Sequence, residues 1–141
     1  MKMAVYGSKF EIRTKTENDI IDITGQVEQV LAESKLKDGI ANVFVAGSTG
    51  AITTIEYEPG LLEDLPAALE KLAPKGARYA HHERWHDGNG HSHVRASIMG
   101  PGITIPFRKG KLVLGTWQQI VFMEMDVRPR DREIYVQLVG E

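Results

Sequence analysis

All five histidines of the chain, His81, His82, His86, His91 and His93, fall within the thirteen residues HHERWHDGNGHSH, together with Glu83, Asp87 and Asn89. Imidazole and carboxylate are the usual nitrogen and oxygen ligands of zinc and similar cations, and the turn sequence DGNG lets several of them fold toward one point. The same groups suit acid–base chemistry, with His93 and the carboxylates of Asp87 and Glu83 as candidates and the Asn89 amide as a ligand contact. A solvated polar loop, in which one or two imidazoles satisfy backbone groups, is the third reading. Spacing restricts the first two. His91 and His93 share one face of an extended chain but diverge by roughly 200° on a helix. A helix opening at Ser92 therefore lets only one of that pair join a site readily. The HExxH spacing of metalloproteases is absent.

Three further places could bind a ligand. Arg95, close to the histidines, could hold a phosphate through its planar fork, or lie over apolar neighbours. The turn Gly47–Gly50 offers the Ser48 and Thr49 hydroxyls and backbone N–H groups, either as an anion nest or as an ordinary hairpin turn. Trp117, followed by Gln118, could stack on a ligand ring or anchor a core between two strands.

These residues must be positioned by something. At 141 residues, the chain has the size of one domain and can bury about 68–70% of the surface its unfolded form exposes. The hydrophobic fraction of 42% and charged fraction of 26% are those of a globular protein. No apolar run is long enough to span a bilayer and the N-terminus lacks the apolar stretch of an export signal, so a cytoplasmic protein is expected. Without cysteine, any metal must use nitrogen and oxygen ligands. A net charge of −2 gives no general attraction to nucleic acid or anionic lipid.

With no linker and no repeat, residues 1–141 read as a single domain. KFEIRTKT alternates as a half-buried strand, and DIIDI reads as its partner across a turn at Glu17–Asp19. Thr24 is expected to N-cap a helix that buries Val27, Val30 and Leu31 and stops near Gly39. IANVFVA and AITTIEY are strands around the GSTG turn. GLLEDLPAALEKLA is an amphipathic helix, and SHVRASIM a short one capped by Ser92. GITIPF, KLVLG, QQIVFMEMDV and EIYVQLVG are strands joined by the turns RKGK and RPRDR, with Pro106 suggesting an edge or bulge. Short turns between successive strands imply antiparallel pairing and an α+β fold.

Residues 85–141 resemble the C-terminal signature of the YjbQ family, also called UPF0047. The likeness rests on Asp87, Asn89 and His93 in DGNGHSH, on Gly100–Pro101, and on the run Gly115-Thr116-Trp117-Gln118-Gln119. YAHHE is similar to the family's Tyr-x-His segment and singles out His81, and the likeness continues upstream through FVAGSTGAITTIEY. Many members carry His-Thr-Thr-Ala where this chain has Gly47-Ser48-Thr49-Gly50, so a group their site could use is missing here.

The resemblance implies antiparallel sheets forming a sandwich with a few short helices, and commonly a homotrimer. It also implies activity as a secondary thiamine-phosphate synthase, which joins a pyrimidine diphosphate to a thiazole phosphate and releases pyrophosphate. The expected ligand is thus a phosphate ester or diphosphate, with Mg or Zn as the cofactor and His81, His93 and His91 as candidate metal ligands. A metal-dependent hydrolase and a non-catalytic, small-molecule- or metal-binding trimer are the alternatives.

Overall fold

Period-2 alternation builds the larger sheet. The structure, a computed structural model, describes residues 2–141. In β1 (Ala4–Arg13), Tyr6, Phe10 and Ile12 turn inward, and β1 lies antiparallel to β8 (Asp131–Gly140) in the register Ala4↔Gly140 to Arg13↔Asp131. β8 alternates strictly, with Ile134, Val136 and Leu138 fully buried. Beyond it lie β3 (Gly39–Val45), β5 (Gly102–Arg108) and the two-residue β6 (Lys111–Leu112), giving the order β1-β8-β3-β5-β6.

A second sheet has the order β2-β7-β4, from β2 (Ile20–Asp22), β7 (Gln119–Glu124) and β4 (Gly50–Ile55). Its central strand reads as a continuous apolar run, as a strand covered on both faces should. Ile120 and Phe122 face the larger sheet, whereas Val121 and Met123 face Leu69 of α2 (Pro59–Leu72) and Ala96 of α4 (Gly90–Met99). The molecule is therefore a two-sheet sandwich with helices outside the smaller sheet. α1 (Thr24–Ser34) adds Val27, Val30 and Leu31 to the core between the sheets. No helix among the described residues is long and apolar enough to cross a membrane.

The α+β class and most element positions match the sequence reading, but the strand partners do not. β2 pairs with β7 and not with β1, because the turn holding Asn18 at a φ of 66° carries the chain from one sheet to the other. GSTG and RPRDR likewise join strands of different sheets. Only RKGK closes a hairpin, with Lys109 and Gly110 both at positive φ. The physical reason is visible at β7 and β8. A strand apolar on both sides and a strand with one wet face belong in different layers, however short the turn between them.

Helix ends also shift. Thr24 is the first helical residue and caps nothing; its hydroxyl accepts the Ile120 N–H at 2.8 Å and so ties α1 to β7. The stop is Lys35, in the left-handed region, whereas Gly39 lies in β3, where a Cβ would come within 2.1 Å of the Val139 carbonyl. α4 starts at Gly90, two residues before the expected Ser92.

Candidate functional site

The histidine segment folds as α3 (Ala80–Trp85), a turn, and α4. His86 at a φ of 58° ends α3, and Gly88 at a φ of 69° turns the chain into α4. The two short helices bring His81 and His93 face to face, with ring centroids 4.5 Å apart and planes inclined by 36°. His81 Nδ1 lies 3.4 Å from Asp87 Oδ1. That nitrogen is buried and makes no hydrogen bond.

Of the remaining imidazoles, His91 and His82 have structural partners, and His86 is exposed. His91 diverges from His93 as helical spacing requires; it is fully buried, and Nε2 meets the Glu17 carboxylate of the β1–β2 turn. It is thereby separated from the metal set proposed for His81, His93 and His91. His82 Nε2 accepts the Gly90 N–H at 2.9 Å, with Tyr79 edge-on to its ring. Among the described residues, no three His, Asp or Glu side chains converge closely enough to form a complete metal site on their own.

Apart from Thr49 and Asn89, the floor of the site comes from residues outside the candidate set. Asp126, 1% exposed, accepts the Val127 N–H at 2.8 Å, the Thr49 hydroxyl at 3.2 Å and the Arg130 Nε at 2.9 Å, and Asn89 Nδ2 lies at 3.4 Å. Beneath it Arg132 grips Glu124 with two nitrogens and donates to the Thr49 hydroxyl at 2.9 Å, and Thr14 donates to Glu124 at 2.8 Å. A signal for this network was present. Glu124 and Asp126 continue the inward face of Ile120 and Phe122 at period 2, and Arg132 precedes Ile134 on the inward face of β8. Charges at inward positions must be paired.

Several expected ligand contacts lie elsewhere. Arg95 is 2% exposed; its Nε donates to the Ala73 carbonyl at 3.0 Å and its fork pairs with Glu70, so it clasps α2 to α4 and its guanidinium is taken. Glu83 is exposed and paired with Arg78. Thr49 belongs to the floor, while Ser48 is exposed. Trp117 and Gln118 precede β7, whereas Asp126 follows it, a separation of about 26–30 Å at strand rise. Trp117 is 72% exposed beside Tyr57, Glu56 and Asp22, so it anchors no core, and Gln118 donates to Thr54 at 3.0 Å. Within one chain neither reaches the histidines.

Electrostatics divide the site into a neutral base and fixed acids. Burial pushes the His93 imidazole below its ordinary value, His81 adds to the effect, and Asp126 and Asp87 oppose it. Burial alone would raise Asp126, but the Val127 N–H, Arg130 and Asn89 hold it below the usual carboxylate value. Glu17 is likewise held low, its burial outweighed by Lys75 and His91. A depressed carboxylate stabilises the fold above its unfolded pKa, and that contribution is lost as pH falls through the folded one. The urea midpoint is therefore expected to fall steeply below about pH 4. Asp126→Asn should lower the midpoint at pH 7 and flatten the acid limb, and an unchanged limb would remove Asp126 from this role.

Residues 8–141 match the family described as UPF0047 protein YjbQ-like. A UPF0047 protein of Methanothermobacter thermautotrophicus is 42% identical over 139 residues, covering 99% of this chain and 95% of its own. YugU of Bacillus subtilis is 32% identical, with 92% and 96% covered. The crystal structure of a YbjQ-like protein of unknown function from Sulfolobus solfataricus is similar with a TM-score of 0.93 at 37% identity, covering 99% of this chain and 100% of that one. A yjbq/upf0047 family protein from Clostridium acetobutylicum gives 0.84 at 38% identity, over 93% and 98%.

Proposed function

The chain belongs to the YjbQ-like UPF0047 family, and from that membership and its paired imidazoles we propose that it is an enzyme acting on phosphorylated small molecules, with thiamine-phosphate synthesis as the reaction to test first. The observation that carries the proposal is the approach of His81 to His93 beside Asp87, over a floor of buried, ionised groups. His93 also lines an open groove of about 340 Å³ with Val94, Ser97 and Ile98, where the apolar part of a substrate can lie.

In the transfer reaction the thiazole nitrogen attacks the methylene carbon of the pyrimidine diphosphate. The carbon–oxygen bond breaks, and pyrophosphate leaves with the electron pair. The site must neutralise that departing charge and keep out water. Arg95, Arg130 and Arg132 are already paired with acids, so their forks are not free for the leaving group. The unpartnered His81 Nδ1 and the adjacent Asp87 fit a divalent cation, Mg or Zn, which when bound would supply the positive charge. His93, held neutral, can offer a proton to an oxygen through its N–H or accept one on its free nitrogen.

That second capability favours hydrolysis as the alternative, with water replacing the thiazole as nucleophile and His93 accepting its proton. Untagged protein supplied with the pyrimidine diphosphate, with and without thiazole phosphate, separates the readings. Thiamine phosphate plus pyrophosphate supports transfer. Pyrophosphate alone indicates hydrolysis, and binding without turnover leaves a non-catalytic protein.

We also propose that the chain assembles as a homotrimer. Cross-strand register places Val5, Val139, Ile40 and Pro106 in one row on the outer face of the larger sheet, and Tyr135 and Phe44 in another. Val5 is 67% and Ile40 49% exposed. Apolar rows of this kind are suited to burial against another copy. Light scattering should give three times 15.7 kDa, and Ile40→Asp with Phe44→Asp should return the mass of one chain. A parent protein of single-chain mass would end the trimer proposal.

A further inference from the structure

Building on the homotrimer and on the reading of residues 81–93 as the site of chemistry, we infer that the His93 groove of each copy is closed by the Trp117 turn of a second copy of this chain, so that every site is made from two chains. The starting observation is a groove with one wall. His93, Val94, Ser97 and Ile98, which line it, all stand on one face of α4, and Ile98 is 55% exposed. No other described residue lines the groove.

The second, independent observation is a tryptophan held outward. Trp117 is 72% exposed, yet its turn is fastened. The Gly115 N–H donates to Gln118 Oε1, the Gln118 N–H to the Gly115 carbonyl and the Gln118 amide to the Thr54 hydroxyl, each at 3.0 Å. A turn fixed in this way presents the indole at little further cost in entropy, as aromatic anchors of protein interfaces do. The groove lacks a wall, and the indole lacks a cover.

Position and charge select a second copy as the occupant. Both features lie along β4, an edge strand of the smaller sheet: α4 packs on it, with the Ile52 N–H donating to the Gly100 carbonyl at 3.2 Å, and Gln118 bonds Thr54 farther along. The groove also borders a row assigned to assembly, because Gly102, two residues beyond the Gly100 cap of α4, pairs with Phe44. The cleft beside Trp117 is acidic. Among the described residues Glu56 makes no ion pair, and Asp22 and Glu58 accept only from backbone N–H groups. At the histidine end the exposed Arg84 and Arg128 have no carboxylate partner among the described residues, Glu83 is taken by Arg78, and Asp87 faces His81. The two surfaces thus carry opposite unpaired charge. Since they are different surfaces, the contact between them is head-to-tail, the kind that closes into a ring when its rotation allows. Trp117 then stands across the groove from His93, and a flat substrate ring can lie between indole and imidazole.

The chain contains no cysteine, so introduced thiols report the contact directly. Ile98→Cys and Thr116→Cys each replace an exposed residue, one in the groove and one beside Trp117, and thermal unfolding checks that both variants fold. Co-expressed, the two proteins should be joined by a short bis-maleimide, whereas each alone should stay unlinked, and the double variant should give three joined chains. Equal linking in either variant alone would overturn the inference, because like surfaces would then be meeting. So would a mixture that stays unlinked while light scattering gives a trimer. Trp85→Phe leaves Trp117 as the one tryptophan. Its emission should be that of a covered indole and shift to the red when Ile40→Asp with Phe44→Asp separates the chains; emission of an exposed indole from the intact trimer would also overturn the inference. A parent of single-chain mass would remove this contact together with the trimer. Linking as described in a protein without turnover would uphold the contact and remove the enzyme.

Discussion

Replacing Glu124 by alanine is expected to destabilise the fold by about 3–5 kcal/mol, the scale on which removing one partner of a buried ion pair acts. Glu124 is fully buried, and Arg132 is 7% exposed. Arg132 donates Nε and one terminal nitrogen to the two Glu124 oxygens, Thr14 donates to the same carboxylate, and the Asp126 N–H adds a bond at 3.1 Å. Deleting the acid leaves a guanidinium in the core with only the Thr49 oxygens to meet it. Water cannot reach it cheaply, and the cation–π contact with Phe122 is too weak to compensate. Glu124→Gln should cost less, because an amide oxygen still accepts from Arg132. Replacing both Glu124 and Arg132 by apolar residues of similar volume should recover much of the loss. Urea unfolding of the four proteins measures this directly. A loss below about 1 kcal/mol in Glu124→Ala would show that Arg132 finds water.

That ion pair also shows what could be read in the chain and what could not. The inward positions of Glu124 and Arg132 follow from alternation alone, since each lies two residues from a core residue of its own strand. Their meeting required β7 and β8 to lie in facing sheets, and alternation assigns faces without assigning partners. The turn RPRDR between them suggested a hairpin, which would have placed both side chains differently. The histidines divide in the same way. The separation of His91 from His93 is a property of any helix, so it was legible once α4 was recognised. The approach of His81 to His93 depends on the angle between α3 and α4, which is set by the left-handed His86 and Gly88, and neither residue type alone dictates that angle. Arg95 was misplaced for a related reason. Its position beside the histidines in sequence put it near the site, but rotation about α4 turned it toward Ala73 and Glu70.

His93→Ala is expected to lower turnover by about 10²- to 10⁴-fold, the usual contribution of a positioned proton donor or acceptor, with little effect on stability. The asymmetry follows from its surroundings. His93 makes no side-chain hydrogen bond, lies on the open side of α4 and lines the groove with Val94, Ser97 and Ile98, so truncation removes no buried partner. His91→Ala is the contrasting variant. It should unfold earlier, because it leaves a cavity and removes the Glu17 contact between the β1–β2 turn and α4. The two effects should therefore separate between neighbouring histidines of one helix: activity lost at unchanged midpoint for His93, and midpoint lowered for His91. His93→Gln refines the assignment, since it retains a polar group but cannot exchange a proton near neutral pH. If the glutamine variant restores turnover, His93 binds substrate without moving a proton; if it is as inactive as alanine while its substrate affinity is preserved, proton transfer at the imidazole is the missing step. Full turnover in His93→Ala would remove His93 from the chemistry altogether and shift attention to Asp87 and whatever cation it holds.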